Sequence, residues 1–205
     1  MRTLLDIERD KYQDVWTSID TYADYAPGAV RVPMFLDMAF REFEGRMPSE
    51  FTVLDAGCGS AKGGLALSTL GFHVTLCDVT PAGIVTEAQH LPYHDACLWT
   101  DLSPLARGVG HPGRTRFDVV YCCDVLEHVP PQFTMLAIDQ MLRVARHGLF
   151  LSISLQPDNF GAWIGEPLHQ TVMPFTWWRD SIRELGDLVE ARDLQKDGVF
   201  FVRHR

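Results

Sequence analysis

The stretch Val53-Leu-Asp-Ala-Gly-Cys-Gly-Ser-Ala-Lys-Gly-Gly64 constrains this chain more than any other. A short apolar run ends at Asp55, glycines follow at Gly57 and Gly59, and a helical pattern begins at Lys62. That order predicts a strand turning tightly into a helix. Glycine tolerates the backbone angles of such a turn and lets a ligand approach closely. The helix start offers free N–H groups and partial positive charge, which suit a carboxylate and a phosphate alike. The corner therefore predicts a small-molecule site without naming its ligand.

Beyond the corner, apolar runs alternate with helical segments. Strands are expected at Phe51–Asp55, Phe72–Cys77, Ala96–Trp99, Phe117–Cys122 and Gly148–Ser154. Helices are expected at Lys62–Leu70, near Pro81, at Pro131–Ala145 and at Phe175–Leu185. Leu188–Arg192 and Val199–Arg203 flank an Asp-Gly turn signal and read as a closing hairpin. The expected fold is α/β: a doubly wound, mostly parallel seven-stranded sheet, helices on both faces, and a C-terminal antiparallel hairpin. Residues 1–50 form an N-terminal helical lid segment, and residues 51–205 a Rossmann-like domain, within one domain overall. Ligands of such sheets sit beyond the carboxyl ends of the strands.

Three acids mark successive strand ends: Asp55, Asp78 and Asp101. Asp78 lies about twenty residues past the first glycine, where a carboxylate can accept both hydroxyls of a ribose. Asp101 with Leu102 could meet an adenine edge; equally, Asp101 could cap the turn at Ser103-Pro104. A dinucleotide fingerprint would need glycine at position 62, where lysine stands.

These motifs resemble the core of class I S-adenosylmethionine-dependent methyltransferases. Leu54–Gly59 is similar to the first motif of that family, and Cys77-Asp78 to its ribose-binding acid. Phe117-Asp-Val-Val-Tyr-Cys-Cys-Asp-Val-Leu-Glu-His-Val-Pro130 is close to the fourth-strand motif of the ubiquinone-type small-molecule methyltransferases. Ala61 departs from the family, many members having a third glycine there. The resemblance implies S-adenosyl-L-methionine as cofactor, held by Tyr25, Gly28, Asp55, Gly57, Cys58, Gly59, Asp78, Val79, Asp101, Leu102 and Cys123. Tyr22, Tyr25 and the Pro27-Gly28 turn look like the family's lid over the methionine end.

On the acceptor side, Asp124, Glu127 and His128 follow the fourth strand, and His169 lies in the loop after the fifth. They form the candidate catalytic set. Histidine has a suitable range for taking a proton from an acceptor. The same four residues resemble the set of metal-assisted small-RNA ribose methyltransferases. A divalent metal is possible there but not expected, since Glu127 and His128 could simply brace the loop. The Trp177-Trp178 pair reads as core.

Net charge −9 disfavours a broad nucleic-acid grip and an anionic membrane surface. Five cysteines, an odd count with an adjacent pair, point to reduced thiols and a cytoplasmic location. The expected function is methyl transfer to oxygen or nitrogen of a small molecule. A nucleotide or nucleic-acid methyltransferase, a nicotinamide oxidoreductase and a non-catalytic binding module stand as alternatives. The acceptor and the oligomeric state are not encoded in any motif.

Overall fold

The computed structural model describes residues 2–18, 22, 27–39, 41, 45–109, 113–158 and 160–205. Among them are seven strands: β1 (Thr52–Ala56), β2 (His73–Asp78), β3 (Tyr93–Asp95), β4 (Phe117–Cys123), β5 (Ala145–Ser154), β6 (Asp187–Asp193) and β7 (Asp197–Arg203). The helices are α1 (Leu4–Ser18), α2 (Gly28–Ala39), α3 (Lys62–Thr69), α4 (Pro131–Val144) and α5 (Phe175–Leu185). The strands form one sheet in the order β3-β2-β1-β4-β5-β7-β6. β1 to β5 run parallel, and β7 pairs antiparallel with β5 and β6.

The central strands read as continuous apolar runs because both faces are covered. All five residues of β1 are buried. Alternate residues feed two separate cores. Leu54, Val120, Cys122, Leu149 and Leu151 pack on the α4 and α5 side. Val53, Val119, Tyr121 and Phe150 pack on the α2 side. Tyr121 stacks on Phe150 at 5.2 Å, and Phe35 of α2 meets both rings edge-on. Trp178 is fully buried in the first core.

The third strand is a correction. It is Tyr93–Asp95, not Ala96–Trp99. An edge strand with exposed residues is chosen by its ladder to β2, not by apolar burial: Leu76 donates to Pro92 and Ala96 to Asp78, both at 2.8 Å. The segment near Pro81 is not a helix; a single 3-10 turn at Thr86–Ala88 follows it. No helix among the described residues is long and apolar enough to cross a membrane.

The chain order steps outward from β1 through β2 to β3, then returns to the other side of β1 for β4 and β5. The reversal falls between β1 and β4, so the crevice of this sheet lies beyond their carboxyl ends.

Candidate active site

The glycine corner is folded back onto β2 by two hydrogen bonds. The N–H groups of Gly57 and Cys58 both donate to the Cys77 carbonyl, at 2.8 and 3.0 Å. Gly57 has φ +71°, and a Cβ there would come within 2.5 Å of Val125. Ala61, the departure noted in the sequence, caps α3 in the left-handed region at φ 58°. Alanine tolerates this at a modest cost.

Asp78 receives the Gly59 N–H at 2.8 Å and the Val79 N–H at 2.7 Å. Burial pushes its carboxyl up to about 6, against the pull of those bonds. Helix α1 roofs this region. Arg9 donates to the Val79 carbonyl at 2.9 Å, Thr80 donates to Gln13 at 2.6 Å, and Trp16 lies flat against Gly59 and Gly83.

Two cavities adjoin here, sharing Trp16, Tyr22, Gly57, Gly59, Asp124 and His128. The smaller, about 100 Å³, lies under α1 between Asp78, Val79, Leu98 and Trp99. The larger, about 490 Å³, opens toward Gly28, Cys123, Ser154, Asp158, Phe160 and His169. The larger volume is in the range of small-molecule sites.

The sequence-predicted residues divide. Gly57, Gly59, Asp78, Val79, Gly28, Cys123, Asp124, His128 and His169 line the two cavities. Asp55 lies beneath the corner, where it accepts the Gly64 N–H; burial pushes it up to about 7. Cys58 is also buried behind the turn. Asp101 and Leu102 do not reach the cavities. The Asp101 carboxylate is exposed and closes on Ser103, accepting its N–H at 2.9 Å, while Leu102 is 1% exposed in the core. With β3 ending at Asp95, it is Ala96, Leu98 and Trp99 that reach the cavity wall. Tyr25 lies outside the described residues.

Beyond β4 the chain makes a tight bend: Asp124 has φ 52°, and its N–H donates to the Ser152 carbonyl. Its Oδ1 is buried without a partner, and burial, with Asp197 nearby, pushes the carboxyl up to about 7. Glu127 is fully buried, and burial raises its carboxyl well above the usual range. One of its oxygens accepts the Ser154 N–H at 2.9 Å; the other has no partner. The Glu127 carbonyl accepts the N–H groups of Gln170 and Thr171, which draws the loop after β5 onto this bend.

That loop brings the two histidines together, ring centroids 4.6 Å apart. Nδ1 of His128 lies 3.2 Å from the Leu168 carbonyl, and Nδ1 of His169 lies 2.6 Å from the Gln156 carbonyl. A carbonyl only accepts, so each Nδ1 carries a proton. Burial, with His169 and Lys11 close by, pushes His128 down to about 3 and keeps it neutral. Single ligand atoms from Glu127, His128 and His169 lie within 4.8 Å of one another. This is the one group among the described residues that offers metal-ligand spacing.

Residues 54–149 match the family described as a methyltransferase domain. That match runs from within β1 to within β5. Over 115 residues it is 31% identical to a ubiquinone biosynthesis O-methyltransferase of Marinobacter nauticus, covering 52% of this chain and 46% of that protein. A protein of the same description from Aromatoleum aromaticum is 32% identical over 120 residues, 55% of this chain and 47% of the relative. The chain thus spans about half the length of the curated relatives it matches. Among solved structures, magnesium protoporphyrin IX methyltransferase of Synechocystis, with bound S-adenosylmethionine, superposes with a TM-score of 0.64. That match has 18% identity and covers 99% and 98% of the two chains.

Sequence reasoning missed Glu8, Tyr12, Trp16, Leu98, Trp99 and Asp158 in this site. Their positions depend on how α1 and the loop after β5 fold over the sheet, which no local motif announces.

Proposed function

We propose that the chain transfers a methyl group from S-adenosylmethionine to a hydroxyl oxygen of a small, flat acceptor. The carrying observation is that His128 and His169, ring centroids 4.6 Å apart, line the same cavity as Gly57 and Gly59 of the glycine corner. S-adenosylmethionine supplies a methyl carbon activated by positive sulfur. Its groups suit the walls: Asp78, which lines the slot under α1, would accept a ribose diol. The buried, unpartnered Oδ1 of Asp124 would be stabilised by a cation beside it.

The protein's own work is alignment and proton removal. An acceptor in the larger cavity lies between the aromatic side chains of Trp16, Tyr22 and Phe160 and the two histidines. As its oxygen bonds to the methyl carbon, the carbon–sulfur bond breaks and the electron pair stays on sulfur. The hydroxyl proton passes to a histidine Nε2. The ubiquinone O-methyltransferase relatives favour oxygen over nitrogen and an aromatic acceptor. Helix α1, which roofs the slot between Asp78, Val79, Leu98 and Trp99, acts as the lid in this reading.

The test is a panel of phenols and catechols incubated with S-adenosylmethionine and analysed for O-methyl products by mass spectrometry. Methylation of at least one, lost in His169→Ala, is expected. Products only on amines or on RNA would contradict the reading.

A second reading has its own observation: the unpartnered Glu127 oxygen converges with both histidines. A divalent metal held by Glu127, His128 and His169 would polarise the acceptor hydroxyl as a Lewis acid. Metal analysis of the purified protein, with activity before and after chelation, decides it. Activity unaffected by chelation, in protein free of metal, would remove this reading.

A further inference from the structure

We propose that Asp158 is the positioning residue that sets the orientation of both His128 and His169. The proposal rests on the reading that these histidines face the acceptor.

The chain between β5 and α5 has a single 3-10 turn, Phe160–Trp163, among its described residues, so its shape must be held by something other than a ladder. The Asp158 carboxylate does this. Oδ1 accepts the Gly161 N–H at 2.5 Å, and Oδ2 accepts those of Leu168 at 2.8 Å and His169 at 2.9 Å. These three bonds outweigh desolvation and hold the carboxyl below the usual range.

Two of these three bonds lead to a histidine. Leu168 supplies the carbonyl that fixes Nδ1 of His128. His169 is tied directly through its own N–H, and its ring is fixed by Gln156, two residues before Asp158. A carboxylate that ties the two arms of one loop together therefore determines where both rings point. The arms touch at Gly161, where a Cβ would lie 2.2 Å from the Glu166 carbonyl oxygen and 2.9 Å from the Leu168 nitrogen.

Backbone amides usually satisfy themselves in turns or with water. Three of them converging on one acid is the arrangement of a fixed support for a site. It has a consequence that loop stability alone lacks: the tautomer of two distant rings depends on one carboxylate.

The test is ¹⁵N spectroscopy of the histidine rings in protein bound to S-adenosylhomocysteine, at pH 8.5, where ordinary imidazoles are neutral. Wild type is expected to show His128 and His169 each as a single Nδ1–H tautomer. Asp158→Ala should convert both to mixed tautomers while leaving S-adenosylhomocysteine affinity within about twofold, the cofactor corner being elsewhere. Asp158→Asn keeps one accepting oxygen and should restore part of the signal. Gly161→Ala breaks the same bridge from the other side and should reproduce the Asp158→Ala spectrum. Ring signals that stay in a single Nδ1–H tautomer in both Asp158→Ala and Gly161→Ala would overturn the proposal. Mixed tautomers with an unchanged rate of phenol methylation would uphold the positioning and instead refute proton transfer by these histidines.

Discussion

Asp78→Asn tests the cofactor side most sharply. In the folded protein each oxygen of Asp78 already holds one backbone N–H, from Gly59 and from Val79. The amide can accept through only one oxygen, so one of those N–H groups loses its partner. A buried donor left unpaired costs about 1–3 kcal/mol. For a chain of this length that is a fall in Tm of roughly 3–10 °C. The cofactor loses more specifically. Two hydroxyls donating to a carboxylate are charge-assisted bonds, each worth about 1 kcal/mol or more beyond a neutral pair. Losing about 2–3 kcal/mol weakens binding roughly 30- to 150-fold. Trp16 and Trp99 line the cavity, so tryptophan fluorescence can follow a titration with S-adenosylhomocysteine. A pH series supplies the internal control. Asp78 titrates at about 6, and the ionised form is the one that accepts both hydroxyls. Wild-type affinity should therefore fall as pH drops through 6, and the variant's dependence should be flatter. Equal affinity of the two proteins at pH 8 would refute the placement of the ribose.

The other predictions concern the corner and its support. His169→Ala should lower kcat by about 10²–10⁴-fold, with S-adenosylhomocysteine affinity unchanged; calorimetry showing a parallel loss of affinity would mean that the residue belongs to the cofactor site. Gly57→Ala places a Cβ 2.5 Å from Val125 at φ +71°, which should cost about 2–5 kcal/mol from backbone strain and overpacking. Urea unfolding of the variant with an unchanged midpoint would contradict it. Asp55 is an acid whose folded pKa, about 7, is raised above its unfolded value, so its contribution to stability is full below about pH 4 and lost as pH rises through 7. Asp55→Asn should accordingly be more stable than wild type at pH 8 and lose that advantage progressively as pH falls to about 4; a difference independent of pH would show that the carboxyl is not desolvated.

What the sequence made legible was local or periodic. Gly57 and Gly59 announce the corner because a left-handed turn there tolerates little else. β1, β4 and β5 announce themselves because both faces are buried and apolar residues dominate their runs. β3 did not, because Tyr93–Asp95 is polar and its pairing with β2 is carried by backbone atoms. Asp101 illustrates the limit of reading acids at strand ends: once β3 stops at Asp95, the chain turns outward before reaching it. Asp124, Glu127, His128 and His169 were grouped from their types; ligand atoms of the last three lie within 4.8 Å of one another, and that convergence rests on Gln170 and Thr171 docking on the Glu127 carbonyl, which is tertiary. Trp16 and Asp158 carry no signature at all. One depends on where α1 settles, the other on a loop closing upon itself.

The most direct test of the central claim is calorimetric titration of the purified chain with S-adenosylmethionine, S-adenosylhomocysteine and the nicotinamide dinucleotides. The account predicts one site per chain for each adenosyl ligand, competition between them, and no heat from either dinucleotide. Saturable binding of a dinucleotide with no response to the adenosyl ligands would contradict it.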